Sequence, residues 1–244
     1  MKKIIKLIRF IFDILLPPRC LICGEIVYKE NGLCAKCFSK INFLSNQSCP
    51  ICGRPYTFPI EDGNTLICGK CLSKPPVLRG LKAVFAYDDF SKNLILPFKH
   101  ADRTDLVPYL SKLMFKRGKE FFEEADCIIP VPLHWKRKLK RKYNQAALLA
   151  LNIEKLSQKP CLLSVLSRHR YLTSQKNKTR KERLENIKNA FKVKDANLIK
   201  NKKIVLIDDV YTTGATLNEC ARVLYKAGAK DVVAVVIARV CYFE

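Results

Sequence analysis

The sequence predicts an α/β fold, a parallel sheet with helices on both faces, preceded by a small cysteine-rich module. Three observations carry this. Apolar, β-rich segments recur at 81–87, 126–131, 162–166, 203–208 and 231–238, with helical patterns at 106–124, 144–156 and 217–227. Alternation of this kind argues for a parallel sheet wrapped by helices. Ile204, Val205, Leu206 and Ile207 form an unbroken apolar run, as a strand buried on both faces requires. Eight of the twelve cysteines fall into four Cys-x-x-Cys pairs within the first third of the chain.

Taken in order, residues 1–17 come first. Lys2, Lys6, Arg9 and Asp13 fall at helical spacing and leave a face of Ile4, Ile5, Ile8, Ile11, Phe12 and Leu15. An amphipathic helix ending at Pro17-Pro18 is predicted, too short and too charged to span a bilayer. Two placements suit it: docking onto the protein's own body, or lying on an anionic membrane surface. No small-residue cleavage site follows, which argues against a secretory signal.

Residues 18–73 hold the cysteine pairs. Cys20/Cys23 and Cys34/Cys37 are separated by ten residues, Cys49/Cys52 and Cys68/Cys71 by fifteen. Four thiolates suit tetrahedral zinc, so two structural Zn2+ ions are expected. Two sequential ribbons are the favoured pairing; an interleaved arrangement would use the same cysteines. Metal of this kind belongs to a reduced, cytoplasmic setting rather than a disulfide scaffold. Cys127, Cys161, Cys220 and Cys241 stand singly in apolar surroundings and read as small core residues.

Lys74-Pro75-Pro76 marks the linker to the third region, 74–244. There Asp208 and Asp209 follow the apolar run, and Thr212, Thr213, Gly214, Ala215 and Thr216 lead into a helix. Backbone N–H groups, hydroxyls and the positive helix end make a phosphate cradle, while the two carboxylates suit sugar hydroxyls. No Gly-Lys-Ser/Thr follows, so this is not a P-loop. Two further segments are strongly basic. Residues 130–145 read Pro-Val-Pro-Leu-His-Trp-Lys-Arg-Lys-Leu-Lys-Arg-Lys-Tyr-Asn-Gln, and the second runs from Arg168-His169-Arg170 to Phe191. His134, Arg137, Lys138, Arg141, Asn144, Gln145, Gln175 and Arg183 are the candidates there for a pyrophosphate group or a nucleic-acid backbone.

With 45 basic and 22 acidic residues the formal charge is +23. Two four-thiolate zinc centres would lower it to about +19, so a preference for polyanions survives metal binding. Trp135, Tyr143 and Tyr171 lie among the cations, where bases can stack.

The Asp-Asp and Thr-Gly-Ala-Thr run resembles the phosphoribosyl-pyrophosphate (PRPP) motif of type I phosphoribosyltransferases. The resemblance implies that Asp208 and Asp209 hold the ribose diol and that residues 212–216 hold the 5′-phosphate. Together with the cysteine module, 130–134, 141–145 and the Gln175, Arg183, Asn186 and Phe191 region, the chain resembles the ComF family of competence-associated proteins. One departure stands at Lys142, where that family typically has Gly, so a side chain occupies the space that close backbone approach would use. The resemblance implies PRPP binding with Mg2+. It also implies handling of single-stranded DNA during natural transformation, alongside uptake machinery at the inner membrane face. Two other readings stay open: an active phosphoribosyltransferase acting on an unidentified nucleophile, and a zinc-ribbon interaction module whose pocket senses metabolites.

Overall fold

A computed structural model gives the fold; it describes residues 17–28, 30–59, 66–133, 143–169, 187 and 189–241. The expected N-terminal helix therefore lies outside the described residues. Four parallel strands form the main sheet in the order β1-β6-β5-β2: β1 Gly80–Ala86, β2 Cys127–Pro130, β5 Lys203–Tyr211 and β6 Asp231–Arg239. A separate antiparallel pair joins β3 (Leu166–Arg168) to β4 (Phe191–Val193).

Helices cover both faces of the sheet because β5 and β6 are apolar on both. Ile204 and Leu206 pack with Leu217, Cys220, Ala221 and Leu224 of one helix, Ala215–Lys226. Val205 and Ile207 pack instead with Leu110 and Met114 of the helix Val107–Arg117, and with Leu149 and Ile153 of the helix Gln145–Ser157. Each fully buried aliphatic side chain of this kind contributes about 1.5–3 kcal/mol of transfer free energy.

Three expectations change in detail. The predicted helix 106–124 is broken at Gly118 into Val107–Arg117 and Lys119–Glu124. A side chain at Gly118 would meet Val235 Cγ2 at 2.6 Å and the Phe122 ring at 3.0 Å. The predicted strand 162–166 does not join the main sheet as a strand: Cys161, just before it, makes a single bridge to Ile128, and its last residue, Leu166, opens β3. Of the four lone cysteines, Cys127 and Cys220 are wholly buried, whereas Cys161 and Cys241 are only partly so.

The sequence reading also misses a helix, Lys92–His100. Asp88 and Ser91 start it reciprocally: the Ser91 amide donates to Asp88 Oδ1 at 2.8 Å, and the Asp88 amide donates to Ser91 Oγ at 2.9 Å. Leu94, Ile95 and Phe98 are buried at helical spacing, but Pro97 sits inside and hides the pattern.

Candidate functional site

The cysteines assemble as two sequential sets, Cys20/Cys23/Cys34/Cys37 and Cys49/Cys52/Cys68/Cys71, each with its four sulfurs within 4.8 Å of one another. This settles the pairing in favour of sequential ribbons. Each set joins a tight turn to a short helix, Ala35–Phe38 in the first and Gly69–Ser73 in the second. Gly24 and Gly53 close the turns with φ of +78° and +66°. The Cys23–Cys34 and Cys52–Cys68 sulfur separations are 3.6 and 3.7 Å. A tetrahedron of 2.3 Å Zn–S bonds has edges of about 3.8 Å, so both sets fit the metal.

One thiol in each set is pulled toward its thiolate, while Cys34, Cys37, Cys52 and Cys71 are pushed the other way. A hydrogen bond from Cys52, with the Cys68 amide, brings Cys49 down to about 4 against its burial. Burial pulls Cys20 up, but the amides of Cys23, Cys34 and Ile22 outweigh it and bring that thiol to about 6. The same crowding pushes Cys52 upward, chiefly through its hydrogen bond to Cys49. A divalent cation removes that conflict, because all four sulfurs then share its charge.

The ribbons are welded to the sheet. The segment joining them lies along β1, with the Leu44 amide donating to Val84 O at 2.9 Å and the Ala86 amide donating to Asn42 O at 2.8 Å. Arg117 clamps both sides, donating from Nε to Ala83 O at 3.1 Å and from Nη2 to Ser45 O at 2.6 Å.

At the C-terminal ends of the strands, the predicted motif residues come together around two adjoining cavities. Asp208, Val210, Tyr211 and residues 212–217 line one of about 130 Å³. Lys99, Val131, Asn144, Arg168, Asp208 and Asp209 are among the walls of the other, about 170 Å³. Asp208, Val210 and Thr216 border both, so an acid-lined chamber adjoins a hydroxyl-rich one. The helix Ala215–Lys226 has Gly214 as its cap residue, in the left-handed region at φ +80°, and the side chain of Thr213 accepts from its first amide, that of Ala215, through Oγ1 at 3.4 Å. A Cβ at Gly214 would lie on the Tyr211 ring and hydroxyl.

The two carboxylates divide their roles. Asp209 pairs with Lys99 Nζ at 3.0 Å, and its amide donates to Asp208 Oδ1 at 2.9 Å. Burial, then the Asp209 charge, pushes the Asp208 carboxyl up to about 7, against the pull of Lys99 and Arg168. An unfolded carboxyl ionises near 3.8. The native state therefore holds an extra proton between those values. Stability from this group is fully present below the lower value and is lost as pH rises through about 7. Asp208→Asn should accordingly stabilise the ligand-free protein at pH 8 more than at pH 5, by about 2–4 °C in Tm per kcal/mol relieved. Melting curves at the two pH values check this; an equal shift at both would refute it.

Lys99 and Arg168 complete the electrostatics. Lys99 ends the missed helix, which explains why the sequence reading gives it no role. Arg168 stacks 5.3 Å from the Phe191 ring centroid in the β3–β4 pair. Asn144 caps its helix, with Oδ1 accepting from the Ala146 amide at 3.2 Å and Nδ2 donating to Val131 O at 3.1 Å. Gln145 Nε2 donates to Lys99 O at 3.2 Å, and Tyr143 Oη donates to Phe98 O at 3.3 Å. Gln145 and Tyr143 thereby brace the end of the helix that carries Lys99. His134, Arg137, Lys138, Arg141, Gln175, Arg183 and the aromatics Trp135 and Tyr171 lie outside the described residues.

Fold and site together define a phosphoribosyltransferase-type α/β domain joined to two zinc ribbons. A double zinc ribbon domain matches residues 11–72, and a phosphoribosyl transferase domain matches residues 146–241. Competence protein F of Haemophilus influenzae is 31% identical over 222 residues, covering 88% of this chain and 93% of that protein. DNA utilization protein YhgH of Escherichia coli K12 is 30% identical over 88% of this chain and 94% of its own. Competence protein ComFC of Bacillus subtilis is 29% identical over 82% of this chain and 80% of its own. The chain belongs to the ComF family. Among the described residues, no helix is long and apolar enough to cross a membrane.

Proposed function

We propose that this protein binds PRPP with Mg2+ and handles single-stranded DNA during its uptake, on the cytoplasmic side of the membrane. The observation that carries the PRPP half is the junction of the two cavities at Asp208 and Thr216. A ligand with a phosphate at one end and a sugar diol at the other matches a helix start on one side and paired carboxylates on the other. Residues 212–216 take the 5′-phosphate, Asp208 and Asp209 the diol, and Lys99 and Arg168 the pyrophosphate charge. Magnesium bound with PRPP supplies further neutralisation of that charge.

The DNA half rests on the charge of +23 and on the names of the relatives, two of which concern competence and one DNA utilization. The basic run 136–142 lies outside the described residues; in sequence it follows Leu133, which lines the acid-bearing cavity.

Calorimetric titration with PRPP and magnesium tests the site. Asp208→Asn/Asp209→Asn is expected to weaken binding about 10–100-fold, as loss of charge-assisted contacts does. Equal affinity in parent and variant would remove the assignment. Retention of single-stranded DNA on filters should weaken steadily as salt rises, and salt-independent retention would remove the DNA half. Labelled PRPP incubated with nucleobases separates binding from transfer.

A further inference from the structure

Arg239 ends β6, in register with Tyr211 of β5. The residue is buried, at 6% exposure, and its guanidinium stacks 5.2 Å from the Tyr211 ring centroid. From that position Nη1 donates to the backbone carbonyl of Cys52, a ligand of the second zinc centre. The Tyr211 ring in turn occupies the space that a side chain at Gly214 would need. A short physical chain thus runs from metal ligand to cation, from cation to ring, and from ring to the residue that shapes the phosphate loop.

A second tie runs beside it. Asn218 Oδ1 accepts from the Val77 amide at 2.6 Å and the Leu78 amide at 3.3 Å, fixing the linker that leaves the second ribbon. Its Nδ2 donates to Gly214 O at 2.8 Å. Both ties border a cavity of about 520 Å³ whose walls include Cys52 and Cys71 as well as Tyr211, Thr213 and Ala215. The first ribbon is attached elsewhere. Arg103 donates to Leu21 O at 3.2 Å, and Leu21 and Ile41 pack into the opposite core. Among the described residues, none of its cysteines borders the cavities at the loop.

We propose that Arg239 is a positioning residue through which the second zinc ribbon holds the phosphate loop in shape, so that zinc at Cys49/Cys52/Cys68/Cys71 and an anion at residues 212–216 bind cooperatively. The physical reason is that a buried guanidinium needs a fixed acceptor. Zinc fixes the turn that presents the Cys52 carbonyl; without the metal the turn loosens, the stack on Tyr211 loosens with it, and the loop loses its wall. Linkage makes the effect reciprocal: the anion must then slow the loss of that zinc and leave the other unaffected. This inference rests on reading residues 212–216 as a phosphate site.

The test uses the full chain carrying both zinc ions. Zinc release into a chromophoric chelator is followed with and without saturating PRPP and magnesium. One of the two release phases is expected to slow roughly tenfold, and Arg239→Gln should abolish that protection while weakening PRPP about tenfold. In a cycle of chelation against Arg239→Gln, the two losses of affinity should be strongly non-additive. Protection of neither ion, equal protection of both, or protection retained in Arg239→Gln would overturn the proposal. If the variant does not fold, the parent's two-phase release decides alone. If PRPP does not bind the parent at all, the loop reading has failed. Amide exchange at 212–216 then judges the coupling by itself: faster exchange after removal of the second zinc supports it, and unchanged exchange overturns it.

Discussion

Gly214→Ala is expected to abolish phosphate-ligand binding and to destabilise the fold by about 1–3 kcal/mol. Two penalties act at one position. The residue sits at φ +80°, which an alanine adopts only with strain, and its new methyl would land on the Tyr211 ring. Tyr211 has little freedom to withdraw, since it is 7% exposed and stacked under Arg239. The loop must therefore rebuild, and the amides at the start of the helix Ala215–Lys226 lose their common direction. Titration with PRPP and magnesium, set beside a melting curve, checks both parts. An alanine variant that binds as the parent does would show that the loop tolerates another conformation.

Removing zinc should have the largest structural effect. The buried cluster of the second ribbon consists of Cys49, Cys52 and Cys71, with Ile51, Tyr56 and Cys68 partly buried around it. Among the described residues no fully buried aliphatic side chain belongs to that cluster, so the metal supplies most of the folding energy, which for structural sites amounts to about 10–16 kcal/mol of binding free energy. Chelation is expected to raise amide exchange across 46–59 and 66–73 to unfolded rates while β5 and β6 stay protected. The sheet survives because helices bury its central strands on both faces, even though Leu21 and Ile41 also join one of the two cores. Protected ribbon amides after removal of both ions would contradict this account.

How much of the molecule is legible in its sequence depends on how local the cause is. The strand at Ile204–Ile207 and the zinc turns announce themselves, because burial on two faces and four-sulfur coordination both write short, fixed patterns. The Asp208-Asp209 pair and the threonine loop are legible for the same reason. What balances the carboxylates is not. Lys99 reaches Asp209 from a helix interrupted by Pro97, far back in the chain, and only the tertiary fold brings the two within 3.0 Å. The break at Gly118 is hidden similarly, since its cause is Val235 on β6. The β3–β4 pair escapes because three-residue strands carry too little period to be read, and their pairing is long-range.

The connector lying along β1 has one more consequence. β1 is the outermost strand of the main sheet, and the bridge from Phe43 to Phe85 occupies its free side. An uncovered outer strand is a template for another chain's backbone. If the ribbons on either side of the connector let go, an apolar row that includes Val84 and Phe85 is offered to any neighbour. Metal scarcity would then act on this protein as a self-association hazard, and the zinc ions serve as guards of the sheet's open margin.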